Sequence, residues 1–198
     1  MPPILRTVER RISRGLSIVA EAAAWMMLIM IAVIMIDVVA RKIPAVQGFI
    51  SDTWLINYIA SVKLQEWEWH LHTVVFALGL GAAYLADAHV RVDLWRDKRS
   101  ERTKAWVEIF GIIVFFIPYA AVLLFYATEF AWISYAQNEG SNAYTGLGNR
   151  WIIKSVLALG ILCLLLSAVA GLIRSVGVLV DGDAGARKAP PSPLSIDR

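Results

Sequence analysis

The chain has 198 residues, 58% of them hydrophobic and 18% charged, with 19 Lys and Arg against 16 Asp and Glu for a net charge of +3. A soluble globular domain carries about 45–50% apolar residues, so the composition argues against an ordinary soluble fold and for a bilayer as the solvent. The basic surplus stands beside apolar runs, where attraction to anionic membrane lipids is a simpler account than a nucleic-acid partner, and no nucleic acid is expected.

At the N-terminus, Ile4, Leu5, Val8, Ile12 and Leu16 recur at helical spacing with Arg6, Arg10, Arg11 and Arg14 between them. This predicts a basic amphipathic segment over residues 1–17, either lying on the membrane surface or packed on the chain's own spans. A secretory leader is the competing reading of the same residues. The apolar run that follows is longer than a leader core, and the stretch 37–41 makes a poor cleavage site.

Four stretches carry no Asp, Glu, Lys or Arg: 22–36, 71–86, 109–128 and 155–173. A span needs about 20 mostly apolar residues, and with their flanks these stretches predict four transmembrane helices near 18–39, 67–86, 106–132 and 151–175. The fold class expected is an all-α integral membrane protein, its membrane domain covering 18–180. Trp67, Trp69, Trp106, Trp132 and Trp151 fall at span ends, as an interfacial aromatic belt does.

Between spans one and two, Trp54, Leu55, Tyr58, Ile59 and Val62 form a second amphipathic stripe with Ser51 or Asp52 placed to cap it. An interfacial helix in this outer loop is expected. Within span two, Ala77, Gly79, Gly81 and Ala83 make two small-x-x-x-small pairs that allow close approach of another helix. Pro118 inside span three predicts a kink. Beyond residue 180, Asp and Gly give way to Pro190, Pro191 and Pro193, and residues 181–198 read as a disordered cytoplasmic tail.

Lys and Arg fix an orientation. Four precede span one, six lie between spans two and three and four lie beyond residue 173, against three and two in the remaining loops. Cytoplasmic loops carry the excess, so both termini are expected in the cytoplasm.

No chemistry of catalysis emerges. His70, His72 and His89 cluster at the ends of span two rather than facing each other at mid-depth, Cys163 has no His nearby, and no phosphate-binding Gly-Lys loop is present. No catalytic residue, metal or cofactor is therefore expected. Glu21, Asp37, Asp87 and Glu129 lie near span ends, where snorkelling or an interhelical contact accounts for them better than ion conduction.

Several stretches in fixed order resemble one family. Leu64-Gln65-Glu66-Trp67-Glu68-Trp69-His70-Leu71, then His89-Val90-Arg91-Val92-Asp93 with Arg102-Thr103-Lys104-Ala105-Trp106, then Glu139-Gly140-Ser141-Asn142 with Arg150-Trp151-Ile152-Ile153-Lys154, are similar to the small, DctQ-like membrane subunit of tripartite ATP-independent periplasmic (TRAP) transporters. The likeness covers most of residues 64–175; His70 stands where an aromatic residue is usual, and 44–61 looks like an insertion.

The resemblance implies a non-catalytic scaffold in a bacterial inner membrane, partnered by a large multi-span permease and a periplasmic solute-binding protein, in an importer of organic acids. It makes Glu66, Trp69, His89, Arg91, Asp93, Arg102, Trp106, Asn142, Arg150, Trp151 and Lys154 the candidate interface or structural residues. A stand-alone four-helix exporter or the membrane anchor of a redox complex are the alternatives. Both are disfavoured by acids and histidines that keep to the span ends.

Overall fold

A computed structural model of the chain describes residues 1–54, 61–88, 99–143 and 145–181. Among them every regular element is helical, with no strand. Helix α1 covers Pro3–Lys42, α2 Pro44–Ser51, α3 Ser61–Leu85 and α4 Glu101–Gly111; a π-turn, Ile112–Phe116, leads into α5, Ile117–Ala136, and α6 covers Trp151–Asp181. Through the π-turn, α4 and α5 form one unbroken helix, Glu101–Ala136.

Three helices among the described residues are long and apolar enough to cross a membrane: α1, Glu101–Ala136 and α6. Helix α3 covers the expected second span but is not among them, because Lys63, Glu66, Glu68, His70 and His72 dilute the apolar run in its first turns. The three differ in how far the chain covers them. Of the most apolar window, 44% is buried in α6 but only 11% in α1 and 11% in Glu101–Ala136.

No break separates residues 1–17 from the first apolar run, since α1 continues for 40 residues. At 1.5 Å per residue that is roughly 60 Å, about twice the hydrocarbon thickness of a bilayer. The loop after α1 differs from the sequence expectation. A short helix begins at Pro44, whose fixed φ and missing N–H suit a first helical position. Ser51 and Asp52 then close α2 rather than open a helix: Ser51 Oγ donates back to Gln47 O at 2.9 Å, and the Asp52 N–H donates to Gly48 O at 3.0 Å. The stripe expected there falls largely on residues 55–60, outside the described residues, as does the tail from 182 onward.

The expected irregularity at Pro118 takes the form of the π-turn. Pro118 has no N–H to give, and its ring crowds the carbonyl one turn earlier. Widening the preceding turn relieves this: the Ile117 N–H reaches Ile112 O, five residues back.

The chain divides into two compact units. The first comprises Met1–Ala20, Gly79–Phe125 and Gly160–Arg198, the second Glu21–Leu78 and Tyr126–Leu159. In the first unit, Leu16, Leu85, Cys163 and Ala170 form a buried apolar cluster, with Ile12, Val19 and Tyr84 against it. Gly81 of α3 meets the α6 backbone, and a Cβ built on it would lie 2.7 Å from the Cys163 carbonyl oxygen. Only a glycine fits such an approach.

Charge also ties α1 to α6 in this unit. Glu9 is buried and accepts from Arg174 Nη2 at 3.2 Å and from Ser13 Oγ at 3.2 Å, while Asp181 accepts from Arg6 and the terminal amino group. One face of the N-terminal segment thus packs on the chain's own helix. The opposite face leaves Ile4, Leu5 and Val8 exposed among the arginines.

Candidate functional site

The second unit gathers polar residues where α3, α5 and α6 meet the loop 137–150. Helix α5 ends in a left-handed residue, Asn138 at φ 48°, a conformation in which Asn is among the better tolerated side chains. The Asn138 N–H donates to Tyr135 O and the Glu139 N–H to Ser134 O, both at 3.0 Å, which satisfies the last carbonyls of the helix and turns the chain back. The returning loop is short and self-bonded. Ser141 N–H donates to Leu147 O at 2.9 Å, Gly146 N–H to Ala143 O at 3.0 Å, and Arg150 N–H to Glu139 O at 3.1 Å.

Glu66, in the second turn of α3, holds this loop. Its buried carboxylate accepts from the Ser141 hydroxyl, from the Leu147 backbone N–H and from Arg150 Nη2 at 3.3 Å. Burial pushes the Glu66 carboxyl up, but the Leu147, Ser141 and Arg150 donors outweigh it and hold the group below the usual carboxylate range. Gly146 belongs to the same clasp. A Cβ there would fall 2.1 Å from Ser141 Oγ and 2.9 Å from Glu66 Oε2.

A second ion pair lies beside it. Lys154, one turn into α6, bonds Glu139, whose carboxyl the lysine ammonium holds below its ordinary value. Lys154 Nζ also sits 3.7 Å from the centroid of the Phe130 ring, and the Arg150 guanidinium lies 5.7 Å from that of Trp69. Both cations are therefore placed by a carboxylate and an aromatic face together. Between these groups is a cavity of about 370 Å³ with Glu139, Arg150 and Lys154 at its polar side and Trp69 and Phe130 as walls. Thr73, Ile153 and Leu157 complete its lining.

The fold thus brings Glu66, Trp69, Arg150 and Lys154 into one cluster. Trp151 stands beside them, its ring edge-on to Tyr135 with centroids 5.4 Å apart, and Asn142 is exposed next to Ser141. Arg102 and Trp106 are elsewhere, exposed on α4 after Ser100, which caps that helix by accepting from the Thr103 N–H at 3.3 Å. His89, Arg91 and Asp93 lie outside the described residues. Of the small residues in α3, Ala77 is fully buried and Gly81 touches backbone, whereas Gly79 has nothing within 4 Å and Ala83 is half-buried.

Glu139, Ser141, Gly146 and Phe130 were not singled out from sequence as site residues. Glu139 and Lys154 are 15 apart and on either side of a turn, so no helical spacing links them. The available signal was Asn138-Glu139-Gly140 directly after an apolar run, which marks a helix end and places an acid just beyond it. His70, the departure noted above, rests its ring on Trp69 at 4.1 Å and brings Nδ1 within 2.6 Å of Glu66 O. Among the described residues no three His, Cys, Asp or Glu side chains are grouped as metal ligands would be.

Long apolar helices with polar bonds concentrated toward their ends define a multi-pass membrane protein. The family model of the DctQ component of tripartite ATP-independent periplasmic transporters matches residues 30–177. The chain belongs to that family and is a small permease component of a TRAP transporter. Neither a curated protein nor a solved structure matches it. Residues 1–29, including most of the segment that bonds α6 through Glu9, lie before the matched range.

Proposed function

We propose that the chain is the non-catalytic scaffold of a TRAP-type importer of organic acids, crossing a bacterial inner membrane four times with both termini in the cytoplasm. It holds the large permease, and its outer loops face the periplasmic solute-binding protein. The observation that carries this reading is the uncovered surface of α1 and of Glu101–Ala136, each with only 11% of its most apolar window buried by its own chain. Lipid or another membrane protein must cover the rest, and Trp25, Phe115, Tyr119 and Phe125 on these helices are more than 60% exposed.

The Glu66 cluster has its carboxylates taken up by bonds to the loop and to α6. Its role is to fix the loop 137–150 at one level against α3 and α6, as a rigid outer surface. The positive-inside distribution of Lys and Arg supports placing that loop outside, and α3, a helix of 25 residues, is long enough for the remaining span when its first turns stand in the interface.

A tag on the C-terminal tail, mild-detergent extraction from native membranes and mass spectrometry of the recovered proteins test the scaffold reading. Recovery of a large multi-span permease is the expected result. Recovery of the chain by itself, active in reconstituted transport, overturns it.

A further inference from the structure

The cavity beside Glu66 combines a charged side with an apolar one. Its polar side carries two cations, Arg150 and Lys154, and one carboxylate, Glu139, with the second carboxylate, Glu66, bonded to Arg150 at 3.3 Å. Charge at this rim is balanced. Among the described residues Arg150 Nε is buried without a hydrogen-bond acceptor, and the Lys154 ammonium has donors beyond the one that meets Glu139.

Away from the rim the lining lies deeper and is largely apolar, the one hydroxyl there, of Thr73, being bonded to Trp69 O at 2.8 Å. Leu157 follows Ile153, and Thr73 follows Trp69, by one helical turn, about 6 Å along each axis. Aromatic side chains on the neighbouring turns are largely exposed: Trp132 at 67%, Tyr135 at 57% and Trp67 at 47%. Such a ring marks the headgroup level of a bilayer, and it falls at the height of the charged rim. The cavity therefore runs from headgroup depth into acyl-chain depth.

We propose that this cavity binds one zwitterionic phospholipid with a primary ammonium in its headgroup, as in phosphatidylethanolamine. The phosphate is held by Arg150 and Lys154, the ammonium by Glu139, and the upper part of an acyl chain lies along Ile153, Leu157 and Thr73. The inference rests on the membrane-spanning reading given above. A purely anionic headgroup fits less well, since it would meet the Glu139 and Glu66 carboxylates with no cation of its own to offer them. A small soluble anion would leave the apolar depth unused.

The test uses the full chain in mild detergent, with its permease if that co-purifies, incubated with equimolar phosphatidylethanolamine and phosphatidylglycerol of matched acyl chains; native mass spectrometry then counts the lipids retained. Phosphatidylethanolamine is expected at one per chain with about a tenfold advantage, the worth of one added charge-assisted hydrogen bond. Glu139→Gln should remove most of that advantage while phosphatidylglycerol retention stays. Leu157→Trp and Thr73→Phe fill the depth from opposite walls without touching the rim, and either variant, provided it keeps its helical circular dichroism, should lose the bound lipid.

Equal retention of both lipids, or retention unchanged in a folded depth-filling variant, overturns the proposal. Loss of lipid binding with the permease still recovered would end this inference alone; lipid binding with no permease recovered would end the scaffold reading alone.

Discussion

The two units of the chain solve one problem by different means. Between helices in lipid the hydrophobic effect supplies little, because lipid tails are as apolar as leucine, so close backbone contact or polar bonds must hold them. The first unit adds shape to its Glu9–Arg174 and Asp181 ion pairs: Gly81 against the Cys163 backbone, and the cluster of Leu16, Leu85, Cys163 and Ala170. The second relies on charge, with Glu66 gathering three donors and Glu139 bonding Lys154. Shape is insensitive to pH and tolerant of polar change nearby, whereas a buried carboxylate fails as soon as one partner is lost. The comparison predicts separable responses.

The largest effect is expected from Glu66→Ala. It strands the Arg150 guanidinium, the Ser141 hydroxyl and the Leu147 N–H together, and a cost of about 3 kcal/mol follows from leaving a part-buried charge unpaired. Thermal unfolding in detergent measures it. A shift within error would show that water replaces the carboxylate freely and that the clasp contributes nothing.

Gly81→Ala comes next. The added methyl would stand 2.7 Å from a carbonyl oxygen and 2.9 Å from its carbon, so backbone must move, at a cost of about 2 kcal/mol. Gly146→Ala is the counterpart in the other unit, where the obstacle is the Ser141 side chain at 2.1 Å. The Ser141 Cβ lies nearly as close, at 2.2 Å, and a Cβ cannot rotate away, so the loop backbone must move here too, at a cost of about 2 kcal/mol, and the Glu66 clasp weakens with it. Faster amide exchange confined to residues 139–150 in Gly146→Ala, and absent in Gly81→Ala, would sharpen the division; the same pattern in both would break it.

Acid separates the units further. Glu66 has its carboxyl lowered in the folded protein, so its contribution is complete above the ordinary glutamate value of about 4.3 and is lost as pH falls below that value and through the lowered one. Melting temperature should therefore be level from neutral pH down to about 5 and fall below about 4. Glu66→Gln should flatten part of that fall. Asp181, also lowered, by the terminal amino group and Arg6, leaves a residual slope in the first unit.

The smallest effect is expected from Gly79→Ala. With open space at its Cβ, the substitution gains helix propensity, about 0.5–1 kcal/mol in favour of stability. Destabilisation there would mean that another protein chain approaches α3 at Gly79, which a comparison of melting with and without the permease would reveal.

The sequence determined the class of the protein through quantities that need no partner in space. Long charge-free runs demand a bilayer, Trp at their ends marks the interface, and Pro118 forces an irregular turn at one known place. The motif order carried the family, and Glu66, Trp69, Arg150 and Lys154 were all legible as residues of interest. What they do to one another was not. Glu66 and Arg150 are 84 residues apart, and Glu139 and Lys154 are joined only because Asn138 reverses the chain.

Only the tertiary structure distinguished Gly81 from Gly79, two residues apart in the same motif, because a close approach depends on which side of α3 meets α6. It likewise decided that residues 1–17 continue α1, with Glu9 bonded to Arg174 across 165 positions. Composition and period record how each helix meets its solvent; which side chains then meet each other is set by helix rotation and loop geometry, and those are properties of the assembled chain.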